Sequence, residues 1–216
     1  MMNNYHYLIS GLPQLFLDYE SRSFSLKELL DDIKSKCSEK DIRNIEWLFF
    51  GLEESNLTSH FYRASLRSKN RFISEYFKFD LNVRNIRAAY LARKSKQRPE
   101  DFLVGSNEVT ETLTTSKAPD FGLGLVFEDA TEVLSIMENK NILEREQLLD
   151  KLKWNRASEI TKFNYFDLDA LLAFLLKASL VERWAKMDKK TGEELFKKLV
   201  EEVRGTFDLE KVKNNN

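Results

Sequence analysis

The residue types that most often carry catalysis are scarce in this sequence. Only two histidines, His6 and His60, and one cysteine, Cys37, are present. A Ser-His-Asp or Cys-His arrangement needs an imidazole beside a nucleophile and an acid that orients it, and neither histidine lies in such a pattern. The sequence also lacks the His-x-x-x-His and paired-cysteine spacings of zinc sites. We therefore expect neither nucleophilic nor metal-centred catalysis.

Carboxylates are abundant, but their spacing is typical of helix caps and of solvated helix faces. Glu146 and Asp150 lie at i, i+4, which could hold a cation, although solvation is the simpler interpretation. Residues 122–124 (Gly-Leu-Gly) are a fragment of a phosphate-binding loop, and the complete glycine-rich and Walker-type patterns are absent. We predict a non-catalytic protein that needs no cofactor and no metal.

The basic residues are distributed unevenly. The chain has 34 Lys and Arg against 35 Asp and Glu, for a net charge of -1 at pH 7. Between residues 63 and 98, however, Glu75 and Asp80 are the only acidic residues among many basic ones. Asp80 and Arg84, at i, i+4, form a favourable helical pair. Such a basic segment suits an acidic partner surface, and it also fits an ordinary solvated face. The candidate partner contacts are Arg84, Arg87, Arg93 and Lys94.

The elements that must position these residues are predicted to be helices. Seven Gly and three Pro in 216 residues disfavour a turn-rich all-β architecture, so we predict an all-α, multi-helix bundle. Its longest helix covers about residues 70–96, with no Gly or Pro until Pro99. Apolar side chains recur there at spacings of four and three, a heptad-like seam. The seam consists of Phe72, Tyr76, Phe79, Val83, Ile86 and Tyr90.

Capping residues and apolar periodicity predict the other helices. Ser25, Ser38, Asn141 and Thr191 are the expected N-terminal caps, and Gly51 is an expected helix end. Residues 99–126 are rich in Ser, Thr, Asn, Pro and Gly, and they predict a long loop with room for one short helix. The chain then divides into an N-terminal helical unit (1–98), this linker (99–126), a C-terminal helical unit (127–205) and a frayed tail (206–216).

Targeting signals are not evident in the sequence. Residues 1–8 lack the basic region and long apolar run of a signal peptide. The longest apolar run, residues 170–176, is far shorter than the roughly 20 residues that a membrane helix needs. We therefore expect a cytoplasmic protein.

The strongest functional indication is the sequence of the long helix. Residues 75–94 read EYFKFDLNVRNIRAAYLARK, with Asp80 followed by Asn85, Ile86 and Arg87. This pattern resembles a recurring helix of the central-stalk subunit of eukaryotic V-type and archaeal A-type ATPases. Residues 165–181 resemble a second copy. From residue 5 to residue 203 the chain also resembles a bacterial family whose genes lie within V-type ATPase operons.

The resemblance implies a role within a complex. In the stalk family, the subunit is an all-helical body of repeated units that sits on the membrane ring and receives the end of the rotating shaft. It implies that this chain is a non-catalytic stalk or coupling subunit of an H+ or Na+ V-type ATPase, whose partners are the rotor shaft and the membrane ring. Such a subunit is peripheral on the inner face of the cytoplasmic membrane. Asp80 and Asn85 join the candidate partner contacts on this ground.

Two other functions remain open. The chain could be a helical adaptor for some other protein. It could also bind nucleic acid through the basic helix together with Tyr76, Phe77 and Tyr90, with an affinity that falls steeply with salt. Because the overall charge is close to neutral, we expect no nucleic-acid partner.

Overall fold

The computed structural model of the chain describes residues 5–17 and 25–186, and every regular element within these ranges is helical. The all-α, multi-helix prediction is confirmed. Short 3-10 turns follow α3 and α5 and precede α7. The α-helices are α1 (His6–Ser10), α2 (Leu26–Ser35), α3 (Glu39–Leu52), α4 (Ser59–Leu66), α5 (Arg71–Lys94), α6 (Glu108–Thr115), α7 (Ala130–Glu138), α8 (Ile142–Ile160) and α9 (Leu168–Lys186).

Helix α5 lies at the centre of the bundle. Its 24 residues extend about 36 Å at 1.5 Å per residue, and it contacts α4, α6, α7, α8 and α9. The predicted apolar seam is buried from Phe72 to Ile86, and Tyr90 is half-buried. Burial extends beyond the seam to Ile73 and Phe77. Neighbouring helices therefore enclose α5 over most of its circumference.

Short polar side chains begin the helices, as the sequence predicts. Ser25, Ser38 and Asn141 each accept a hydrogen bond from a backbone N–H in the first turn of the following helix. The helix predicted to start at Thr191 lies outside the described residues. Helix α4 was not predicted, although Thr58 caps it in the same way.

Gly51 lies inside α3, and the helix ends one residue later than predicted. A Cβ atom at this position would lie 2.3 Å from Phe61 Cζ and 2.4 Å from Phe77 Cζ. Real Cβ atoms do not approach other carbons so closely, because the repulsion is prohibitive. The glycine therefore lets α3 approach the aromatic side chains of α4 and α5.

The segment 99–126 is more ordered than a long loop. It contains α6, and a capping box formed by Asn107 and Thr110 stabilises the start of this helix. Val109, Leu113 and Phe121 belong to the same hydrophobic core as residues of both flanking regions. The linker therefore packs against α5, and the two predicted helical units share one core.

The two segments that resemble each other differ in their local position. Asp80 lies in the middle of α5. Asp167, which follows Phe166 as Asp80 follows Phe79, lies immediately before α9, where its Oδ1 accepts a hydrogen bond from the backbone N–H of Ala170 at 3.0 Å. The sequence similarity is therefore not matched by an equivalent place within a helix.

None of the described helices combines the length and the apolar composition needed to span a lipid bilayer.

Candidate partner-binding surface and basic cleft

Three of the predicted contacts lie together on one side of α5. Asp80, Arg84 and Arg87 are spaced i, i+4, i+7, which places them on one helix face. They line a cavity of about 90 Å³ to which Lys153 of α8 and Arg183 of α9 also contribute. Lys153 and Arg183 could not be placed at this site from the sequence, because they are distant along the chain from Arg84.

The cavity opens into a wider groove along α5. Arg84 and Arg87 line both spaces, and Glu54 lies at the same boundary. The groove has a volume of about 460 Å³ and continues past Leu91 to Phe102. We call the cavity and the groove together the basic cleft.

Asp80 is paired with a tyrosine of α4. The hydroxyl of Tyr62 donates a hydrogen bond to Asp80 Oδ2 at 2.7 Å. Burial, and then the negative charge of Asp80, raise the pKa of Tyr62, so that the hydroxyl stays protonated and donates. Asp80 and Arg84 do not approach within the 4.0 Å of an ion pair. The predicted Asp80–Arg84 pair is therefore wrong.

Two other cations of the cleft are neutralised by carboxylates of α8. Arg87 pairs with Glu146 at 3.0 Å. Arg183 pairs with Asp150, which is 1% exposed and also accepts a hydrogen bond from the indole N–H of Trp184 at 2.7 Å. Both carboxylates thus bind side chains of other helices. The simpler interpretation that they are solvated is wrong for the buried Asp150, whereas Glu146 stays partly exposed to solvent.

Apart from Glu54 at its mouth, the remaining polar side chains of the cavity are donors. Arg84 and Lys153 have no carboxylate of a described residue within ion-pair distance. Tyr76 also lines the cavity and is only 1% exposed. No described residue forms a hydrogen bond with its hydroxyl. Burial, and then the charges of Asp80 and Asp150, raise the pKa of Tyr76, which keeps that hydroxyl protonated.

The other three predicted contacts are separated from the cleft. Asn85 is 0% exposed, and its side chain forms two hydrogen bonds with the backbone of Val104. Arg93 donates to the backbone carbonyls of residues 116 and 118, and its guanidinium lies 3.5 Å from the ring centroid of Phe121. Asn85 and Arg93 therefore hold the segment 99–126 against α5. Lys94 is exposed at the end of the helix.

The charge asymmetry of the sequence is retained on the surface. Six basic side chains in the segment 63–98 are exposed and have no ion-pair partner among the described residues. We call them the exposed basic set: Arg63, Arg67, Lys69, Lys78, Lys94 and Lys96. Their positive charge is available to an acidic partner.

The aromatic residues of α5 are not available to nucleic-acid bases. Tyr76 and Phe77 lie in the core, whereas base stacking requires an exposed ring. Of the three aromatic residues considered for this role, only Tyr90 is partly exposed. The arrangement disfavours the nucleic-acid alternative.

The residues considered for catalysis show no assembled reactive centre within the described ranges. His6 packs against the ring of Phe166 at a centroid distance of 4.3 Å. Burial raises the pKa of the Cys37 thiol, which keeps it in the less reactive protonated form. In residues 5–17 and 25–186, no three His, Cys, Asp or Glu side chains are placed to hold a metal ion.

Comparison with known proteins places the chain in a family. A family model described as "Protein of unknown function (DUF2764)" matches residues 2–61 and 51–206. No match was found among curated proteins, and none among solved structures. Because the two matched ranges overlap and together cover most of the sequence, the chain belongs to the DUF2764 family.

Proposed function

We propose that this chain is a non-catalytic stalk or coupling subunit of a V-type ATPase, acting between the rotor shaft and the membrane ring. The proposal starts from the resemblance of residues 75–94 to stalk-subunit helices. The structural observation that carries it is the exposed basic set, whose cations have no carboxylate partners among the described residues. The complex would hold the chain at the cytoplasmic face of the membrane.

The position of α5 suits a part that transmits force. A coupling subunit has to resist deformation when one partner turns against another, and close-packed interiors have low compressibility. Helix α5 contacts five other helices, and its apolar side chains belong to one continuous core. Displacement of one end of this helix would be passed to the whole bundle.

The distribution of charge suits docking on an acidic partner. Complementary potentials speed the encounter of two proteins and fix their relative orientation. Arg63 and Arg67 lie one helical turn apart, and Lys78 is a further exposed cation on α5. An acidic surface on the shaft or the ring would be attracted to these cations.

A charge-reversal experiment with purified proteins tests the proposal. We expect the wild-type chain to bind the shaft or ring subunits of its own ATPase, with an affinity that falls as salt rises. The double variant Arg63→Glu/Arg67→Glu should bind at least about tenfold more weakly. Because both arginine side chains are exposed, folding should be unaffected.

The matched control changes the net charge by the same amount elsewhere. Lys27→Glu/Lys140→Glu reverses two exposed lysines outside the segment 63–98, and we expect it to bind almost as the wild type does. Failure of the wild type to bind any shaft or ring subunit would contradict the proposed function. Equal losses in the two double variants would remove the exposed basic set as the docking surface.

A further inference from the structure

The cavity at the inner end of the basic cleft is lined by three side chains that can donate hydrogen bonds to a ligand, one of which, Arg84, also bonds to Tyr62. Arg84, Lys153 and Tyr76 all line it. Neither cation has an ion-pair partner among the described residues, and no described residue bonds to the Tyr76 hydroxyl. Tyr76 is almost completely buried. Because Tyr76 lines the cavity, an acceptor bound there would complete the hydrogen bonding of its hydroxyl.

The carboxylates around the cavity are already engaged. Asp80 accepts from Tyr62, Glu146 pairs with Arg87, and Asp150 accepts from Arg183 and Trp184. Glu54 also lines the cavity, but it is exposed at the mouth shared with the groove. Within residues 5–17 and 25–186, the chain therefore provides the donors of a small site and no unengaged carboxylate inside it.

Size and charge restrict the ligand. The cavity of about 90 Å³ is larger than the roughly 30 Å³ that one water molecule occupies in the liquid, so a small oxyanion fits and a nucleotide does not. The carboxylates of Asp80 and Glu54 would repel a phosphate dianion more strongly than a monoanion. A single carboxylate group meets both conditions.

We propose that this cavity binds one carboxylate group, held by the Tyr76 hydroxyl and by the Arg84 and Lys153 side chains. The site goes beyond the proposed function, because it needs no ATPase subunit to form. The carboxylate belongs either to a free small acid or to an acidic side chain of a docked protein. The chemistry of recognition is the same for both sources.

The first experiment titrates the isolated chain with acetate at constant ionic strength. NMR resonances of the cavity residues report binding, together with that of the nearby Trp184 indole N–H, which donates to Asp150. We expect saturable shifts for acetate and weaker binding of inorganic phosphate. Tyr76→Phe should lower the affinity for acetate about tenfold, because it removes one hydrogen bond to a charged group. It should not lower the stability of the fold, since the hydroxyl has no partner among the described residues.

Two matched variants separate binding from folding. Tyr90→Phe makes the same change on the same helix outside the cavity and should leave the acetate affinity unchanged. Tyr62→Phe removes the hydrogen bond to Asp80 and should lower stability. Absence of saturable acetate shifts, which would mean that the cavity holds water alone, overturns the proposal. Equal acetate affinities of wild type and Tyr76→Phe also overturn it.

A competition experiment distinguishes the two sources of the carboxylate. Acetate is added to the wild-type chain bound to a shaft or ring subunit, with chloride as the control for ionic strength. Specific displacement by acetate assigns the group to an acidic side chain of the partner. Simultaneous binding of acetate and partner assigns it to a free small acid. Failure of the wild-type chain to bind any shaft or ring subunit, with its acetate titration intact, would contradict only the proposed function.

Discussion

Asn85 shows at the residue scale how one side chain can fix a connecting segment. Its amide N–H donates to the carbonyl of Val104, and its amide oxygen accepts from the N–H of Val104, both at 2.9 Å. Arg93 acts on the same segment from the next part of α5, through two carbonyls and the ring of Phe121. Asn85 and Arg93 thus provide hydrogen-bond partners for backbone groups of residues 99–126, which would otherwise need water in that role.

Replacing Asn85 tests this role. Asn85→Ala removes both hydrogen bonds and leaves two backbone groups of Val104 without their partners. We expect the free energy of unfolding to fall by about 2–4 kcal/mol, measured by urea denaturation. Asn155→Ala, at an exposed position of α8, should change it by less than about 0.5 kcal/mol. Equal stabilities of the two variants would show that the Val104 contact is dispensable.

Gly51 provides a second test at this scale. In an exposed helix, Gly→Ala stabilises by up to about 1 kcal/mol. Here the added methyl would collide with Phe61 and Phe77, so we expect a net loss of about 1–3 kcal/mol in thermal unfolding. Gly124→Ala, where nothing lies within 4 Å of the new Cβ, is the control and should be nearly neutral. A Gly51→Ala protein as stable as the wild type would argue against this close packing.

Residue roles were harder to predict than residue positions. Asp80, Arg84 and Arg87 share a helix face, and their spacing alone shows this. The burial of Asn85 depends on where residues 99–126 pack, which no local pattern indicates. Lys153 and Arg183 reach Arg84 only through the packing of α8 and α9 against α5, so the cavity could not be predicted from the sequence.

At the element scale, local signals placed most helices within a few residues. The caps at Ser25, Ser38 and Asn141 act through adjacent backbone groups, and such short-range effects can be read from sequence. Helix α4 has only eight residues, too few for a clear period of 3.6. The segment 99–126 owes its order to contacts with α5, which its polar composition does not reveal.

The attachment of this segment to α5 is a prediction at the same scale. Arg93→Lys keeps the charge but cannot donate to two carbonyls in the planar geometry of a guanidinium. We expect the backbone amides of residues 116–121 to exchange hydrogen about tenfold faster or more, while global stability changes little. Lys94→Arg makes the reverse substitution at the neighbouring exposed position and should leave the hydrogen exchange of these amides unchanged. Unaltered exchange in Arg93→Lys would mean that other contacts hold the segment.

At the scale of the whole molecule, two properties bear on function. The hydrophobic core is one cluster that includes residues of both predicted units and of the segment between them, so the bundle can respond as one body. The exposed basic set lies on the α4–α5 region of that body. A rigid helical body that carries exposed, unpaired cations is suited to couple partners, and an adaptor for an unrelated acidic protein would need the same properties.

Isolation of the native complex distinguishes these possibilities most directly. The tagged chain is purified from its own cells under mild detergent, and the co-purifying proteins are identified by mass spectrometry. The account predicts that shaft and ring subunits of a V-type ATPase are recovered in fixed proportion to the chain, and that Arg63→Glu/Arg67→Glu reduces their recovery. Recovery of the chain alone, or with other proteins and no ATPase subunits, would contradict it.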